Sequence, residues 1–168
     1  MDRDEEFTRF VDERWPVLVR SAVLLGCARP EAEDLVQTAL VRCYVAWEKV
    51  SRAGNRDAYV YRVLVNCHHD SHRRRWWRER PTEQLPEFAS DDVTGQVDDA
   101  DAVRRALRRL SAAHREVVVL RYYAHLGEQQ IAEALRIAPG TVKSRLSRAL
   151  AQLSTDLDVS ELRGGRAS

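Results

Sequence analysis

Three groups of side chains have the composition that chemistry requires. The first runs over residues 59–80, where Tyr59, Tyr61, Trp76 and Trp77 interleave with Arg62, Arg73, Arg74, Arg75 and Arg78. Guanidinium groups neutralise phosphates and aromatic faces stack on unpaired bases, so this mixture suits a separated nucleic-acid strand. The second lies on residues 139–153. There Val142, Leu146, Ala149, Leu150 and Leu153 recur at helical spacing, and the opposite side carries Gly140, Thr141, Ser144, Ser147 and Arg148, flanked by Lys143 and Arg145. Such a helix buries one stripe and lays small polar and basic groups in a DNA major groove. Thr141, Ser144 and Arg148 are placed for base edges, with Arg148 suited to guanine, while Lys143 and Arg145 are placed for phosphates. The third group is Cys67, His68, His69 and His72. Its spacing matches no familiar ligand set, and adjacent His68 and His69 point to different helix faces. No glycine-rich phosphate loop or oriented triad accompanies them. No catalysis, cofactor, metal or small-molecule substrate is expected.

The elements that must position these groups are helical throughout. Phe7, Phe10, Val11, Trp15, Leu18, Val19, Ala22 and Leu25 recur at intervals of three and four, predicting a helix that ends near Gly26. Pro30 with Glu31, Glu33 and Asp34 opens a second helix, since acidic residues in a first turn suit its positive dipole end. Its apolar side is Leu35, Val36, Ala39, Leu40, Cys43, Tyr44 and Trp47. After a loop at 51–55, a third helix starts at about Arg56 and runs into the arginine-tryptophan cluster. Residues 81–100 differ: they hold Pro81, Pro86 and Gly95, six acidic side chains and no basic one, which predicts a flexible linker. Beyond it come a helix from Asp101, a second with Ser111 as N-cap, and a helix-turn-helix whose second helix starts at Pro139. The fold expected is all-α, with two small helical domains joined by a flexible acidic linker. Residues 1–80 form the first, 81–100 the linker, 101–155 the helix-turn-helix domain and 156–168 a tail, fraying at Gly164-Gly165.

Net charge is only +1, but it is unevenly distributed. Residues 1–55 carry about −2, 56–80 about +4, 81–100 about −6 and 101–168 about +5. For steering onto phosphate the blocks matter more than their total. Cys27, Cys43 and Cys67 are odd in number, lack C-x-x-C spacing and sit in apolar helical patterns, which predicts reduced, buried thiols. The acidic start, Met1-Asp2-Arg3-Asp4-Glu5-Glu6, is unlike a signal peptide, and no apolar run approaches the roughly 18 residues a membrane span needs. A cytoplasmic protein without membrane contact is expected.

Specific words stand in order along this frame: Glu33-Asp34-Leu35-Val36-Gln37, then Ala58-Tyr59-Val60-Tyr61-Arg62-Val63-Leu64-Val65-Asn66, then Val118-Val119-Leu120-Arg121-Tyr122-Tyr123, then Gly140-Thr141-Val142-Lys143-Ser144-Arg145-Leu146. In that order and spacing the chain resembles a bacterial RNA polymerase sigma factor of the extracytoplasmic-function group, over about residues 5–155. The arginine-tryptophan cluster resembles that of the actinobacterial sigma-E-like branch.

The resemblance implies a promoter-specificity subunit of core RNA polymerase. Asp34 and Gln37, three apart on one helix face, would contact the clamp helices of the polymerase largest subunit. Tyr59, Arg62, Asn66, Arg73, Arg74 and Trp76 would hold the melted minus-10 element. Thr141, Lys143, Ser144, Arg145 and Arg148 would read the minus-35 duplex. Promoter DNA and core polymerase are the implied partners, and an anti-sigma factor is one that family members often have. Three positions depart from the family pattern: Tyr59 replaces a common Trp, Arg136 a common Gly, and Ala138 a common capping Ser. The last two tax the turn by on the order of 1 kcal/mol each. An autonomous helix-turn-helix regulator accounts for the second module equally well, but leaves the Asp34 helix and the arginine-tryptophan cluster without a role.

Overall fold

A computed structural model of the chain describes residues 1–78 and 98–164, and every regular element among them is helical. α1 (Arg3–Leu24) turns Phe10, Leu18, Val19 and Ala22 inward. It gives way to Gly26 at φ 114°, a backbone conformation that glycine adopts without strain. α2 (Arg29–Val45) has Pro30 in its first turn and buries Ala32, Leu35, Val36, Ala39, Leu40 and Cys43, the predicted apolar side. It does not run on to Trp47. The helix breaks at Ala46 and Trp47 opens a short separate helix, α3 (Trp47–Arg52). The break lets the indole drop into the core, with the Phe7 and Phe10 rings at centroid distances of 5.1 and 5.4 Å.

α4 (Arg56–Arg78) packs on α2 and carries the predicted strand-binding residues. The second module starts earlier than expected, with α5 (Asp98–Arg109). Apart from its last three residues, the predicted acidic linker lies outside the described residues. Ser111 caps α6 (Ala112–Val118) as anticipated, its Oγ accepting from the His114 N–H at 3.2 Å. α6 runs into a π-helical turn at Val119–Tyr123 that sequence periodicity did not announce. Arg115 ties this corner together. Its guanidinium donates to the carbonyls of Leu107, Arg108 and Leu110 at 2.9, 3.1 and 3.0 Å, satisfying acceptors that the end of α5 leaves open.

α7 (Glu128–Leu135) and α8 (Pro139–Gly164) form the helix-turn-helix. Pro139 stands at the start of α8 as predicted. Residues 156–164 continue α8, because 151–163 hold no glycine or proline to stop it.

The modules also fail to stay apart. α7 lies against α4, the π-helical turn touches α1, and one continuous buried cluster runs from Phe10 to Ala149. α4 explains why. Val60, Leu64 and Cys67 are buried, but so are Tyr61, Val65 and His68. A helix apolar on that much of its circumference needs more than one partner.

Candidate nucleic-acid and polymerase interface

Along α4, Tyr59, Arg62, Asn66 and Arg73 are separated by three, four and seven residues and so share one face. Tyr59, Arg62 and Asn66 are half-buried, and the Arg62 guanidinium lies over the Tyr59 ring, 4.7 Å from its centroid. Tyr61 is structural: it is buried, and its hydroxyl is 2.8 Å from Ser21 Oγ on α1. Thus one tyrosine of the pair belongs to the core and the other to the surface.

The exposure of α4 changes abruptly at residue 71. From 59 to 70 every residue is buried or half-buried, whereas all of residues 71–78 are exposed. Trp76 and Trp77 stand 70% and 67% open, with their rings edge-to-face at 5.7 Å. Two indoles in water beside Arg74 and Arg78 form a surface that gains by covering, and stacked bases would cover it. Of the predicted arginine run, Arg73 pairs with Asp70, a hydrogen bond that holds the carboxyl below its usual pKa, and Arg75 pairs with Glu31.

On α8, Val142, Leu146 and Ala149 are buried, while Lys143, Ser144, Ser147 and Arg148 are exposed and Thr141 and Arg145 half-exposed. This is the division that spacing predicted, except that Leu150, expected on the buried stripe, is 40% exposed and Leu153 is half-buried. Lys143 sits 3.8 Å from Glu128, and Ser144 Oγ donates to the Gly140 carbonyl at 3.0 Å. The turn before α8 holds Arg136 at φ 56°, ψ 46°, so an arginine does occupy the left-handed position where glycine would be unstrained. No side-chain bond caps α8 in place of the missing serine. The Ala138 carbonyl accepts from the Thr141 and Val142 N–H groups instead.

Asp34 and Gln37 are both exposed on α2. On the same line stand Val41 and Val45, 59% and 78% exposed, which sequence reasoning passed over. Their signal was available: two valines four apart on a helix face otherwise made of Asp34, Gln37 and Thr38.

The histidine-cysteine group assembles no reactive centre. Among the described residues no set of three His, Cys, Asp or Glu side chains could hold a metal. His68 Nδ1 is 3.5 Å from Cys27 Sγ, and burial first, then neighbouring His72, His69 and arginine charges, pushes its pKa down to about 3. Burial raises the Cys27 and Cys43 thiols to about 11 and 12, far from a reactive thiolate. His69 differs: its Nε2 lies 2.5 Å from Glu116 Oε1, on α6 of the other module.

Residues 11–78 match sigma-70 region 2, and residues 100–153 match sigma-70, region 4. The RNA polymerase sigma-E factor of Streptomyces coelicolor is 41% identical over 162 residues, 94% of this chain and 89% of that protein. The chain belongs to the sigma-70 family of sigma factors. The ECF RNA polymerase sigma factor SigL of Mycobacterium tuberculosis is 36% identical to this sigma factor over 154 residues, 87% of this chain and 85% of the relative. Among solved structures, the sigma factor RpoE of Bartonella quintana, crystallised with the anti-sigma factor NepR, superposes on this sigma factor with a TM-score of 0.75. The match has 27% identity and spans 92% of this chain and 98% of that one. Agreement over nearly the whole chain means that the two modules of both sigma factors sit in similar relative positions. No described helix of this sigma factor is long and apolar enough to cross a membrane.

Proposed function

We propose that this sigma factor binds core RNA polymerase through α2 and directs it to promoters carrying two elements. The minus-10 element is held as a separated strand by Tyr59, Arg62, Asn66, Arg73, Arg74 and Trp76. The minus-35 duplex is read by Thr141, Ser144 and Arg148, with Lys143 and Arg145 on its phosphates. Asp34 and Gln37 contact polymerase, and Val41 and Val45 extend that face with apolar area. The protein acts in the cytoplasm by binding alone and performs no chemistry of its own.

One observation supports this reading above others: a single chain presents two unlike nucleic-acid surfaces on two modules. The exposed indoles and arginines of residues 71–78 suit unpaired bases, and the small, basic outer face of α8 suits a major groove. Joining two weak binders raises their combined affinity through effective concentration. An anti-sigma factor is a further partner, supported by the whole-chain likeness to a sigma factor captured with one.

Transcription with reconstituted holoenzyme on a library of promoter fragments tests the reading, and initiation on a defined subset is the expected result. Initiation on no template would overturn it. A shift of promoter duplex by the protein alone, equal to that with polymerase present, would favour the autonomous regulator instead.

A further inference from the structure

The strand-facing side of α4 has a gap in its charge. Tyr59, Arg62, Asn66, Asp70, Arg73 and Trp77 follow one another at steps of three and four, so all stand on one stripe. Between Arg62 and Arg73 that stripe offers no cation, only Asn66 and the Asp70 carboxylate. Eleven residues of helix span about 16 Å, and a strand lying along that length brings several phosphates. A carboxylate in their path repels them unless its charge is answered.

Arg42 of α2 answers it. Arg42 Nη1 lies 3.5 Å from Asp70 Oδ2, while Arg73 bonds Asp70 Oδ1. Two guanidiniums from two helices thus flank one carboxylate and leave the middle of the stripe cationic. Without Arg42 it would be neutral. Both arginines are open to solvent, with side chains 46% and 73% exposed. At 3.5 Å the Arg42 contact is at the outer limit of a hydrogen bond, so this guanidinium can turn to another acceptor. A pair this exposed adds little to stability, and tying α2 to α4 is a weak reason for it. Arg42 also leaves the line of Asp34, Gln37, Val41 and Val45: it stands about 100° round the helix from Val41, where α2 meets α4.

We propose that Arg42 is a further contact for the separated strand, holding one backbone phosphate jointly with Arg73 beside Asp70. Asp70 keeps both guanidiniums at that point of the stripe, and their combined charge outweighs its own. The planar fork of arginine matches the oxygens of a phosphate and stays charged at any working pH. The site rests on the strand-binding role of α4 and adds to it a residue from the helix that faces polymerase. α2 then serves both partners, along adjoining lines.

The test uses reconstituted holoenzyme and a short fluorescent single-stranded DNA of mixed sequence, titrated over a range of salt, with core polymerase alone as background. One phosphate contact on a single strand contributes about 0.7 to the slope of log affinity against log salt. Arg42→Gln should lower the slope by that amount and weaken binding about fivefold at about 0.1 M salt. Arg42→Lys keeps the charge and should keep the slope. Because Arg42→Gln also uncovers Asp70, the deciding comparison is made with Asp70→Asn already in place. The same fall in slope there supports a phosphate contact, whereas no fall would mean that Arg42 merely screens Asp70, and the proposal is lost. Arg20→Gln removes an exposed arginine of α1, outside the stripe, and should leave the slope unchanged; an equal fall would reduce the effect to net charge. Gel filtration with core polymerase checks assembly, and failure of folded Arg42→Gln to assemble would put Arg42 on the polymerase face instead. The double variant faces one neutral amide with another, so it stays informative if Arg42→Gln alone misfolds, which circular dichroism detects. A wild-type holoenzyme that binds strand no better than core alone would sink the strand-binding role itself, and this site with it. Wild-type binding that every Arg42 variant retains would sink the site alone.

Discussion

The two DNA-facing helices of this sigma factor solve the same problem in opposite ways. α8 divides cleanly, with Val142, Leu146 and Ala149 inside and Lys143, Ser144, Ser147 and Arg148 outside. α4 cannot divide that way, because it packs on both α2 and α7, with residues 59–70 buried or half-buried, while residues 71–78 are exposed and Arg75 reaches back to Glu31 of α2. On α8 structure and recognition occupy different faces of one length. On α4 they occupy different lengths, with a transition zone at Tyr59, Arg62 and Asn66 where both claims meet. A substitution in α8 should therefore separate fold from reading by face, and one in α4 by position.

The sharpest way to break the comparison is to cross that boundary on α4. Leu64 is fully buried, so Leu64→Ala should destabilise the fold by about 2–5 kcal/mol, read as a lower denaturation midpoint. Thirteen residues on, Trp77→Ala combined with Trp76→Ala should leave that midpoint unchanged and weaken strand binding instead. Each lost stack is worth about 1–3 kcal/mol, and permanganate footprinting of the melted promoter would show it. A fall in stability from the tryptophan pair would mean that the end of α4 is structural after all.

How much of this was visible in the chain follows the same divide. The α8 face, the start at Pro139, the Ser111 cap and the buried side of α2 were legible because each depends on residues within one or two turns. Even the strained Arg136 could be read, since the turn demands a left-handed residue wherever it falls. What was not legible depends on distant partners. The break at Ala46 comes from Trp47 seeking Phe7 and Phe10, some forty residues back along the chain. The closure of the modules depends on Glu116 finding His69, and His69 carries no signal alone. Periodicity did show α4 to be apolar, but it could not say that a second module would answer part of that surface.

On α8 the comparison sharpens within a single face. Arg148→Ala should cost roughly 1–3 kcal/mol of discrimination and relax selectivity at one base position. Lys143→Ala should weaken binding to every promoter alike and lower the salt slope by about one. Competition binding against a set of single-base promoter variants separates the two, and a promoter-selective loss from Lys143→Ala would exchange their roles. Just before this helix, Arg136→Gly should relieve the left-handed backbone and raise thermal stability by up to about 1 kcal/mol. Gain is expected because the turn's bonds here are backbone ones that glycine keeps: the Arg136 and Ile137 N–H groups both donate to the Ala132 carbonyl, the latter at 3.1 Å.

The smallest effect expected is a dependence of stability on pH, and its sign follows from His69. The hydrogen bond to Glu116 raises the His69 pKa, with burial opposing it. In the unfolded chain the imidazole returns toward its ordinary value near 6.5. The folded protein therefore holds the proton more tightly. Its added stability is complete below the ordinary value and is lost as pH climbs through the raised one. The other charges facing His69 act in both directions: on α4, Arg73 lowers its pKa and Asp70 raises it. Burial also pushes the neighbouring His68 down to about 3 and lowers His72. Because the His69 side chain is 40% exposed, solvent screens the pair and the effect is modest. Thermal denaturation at about pH 6 and about pH 8.5 should show His69→Ala lowering the midpoint more at the lower pH. An equal loss at both would mean that the pair acts through a neutral hydrogen bond, with the charge on His69 playing no part.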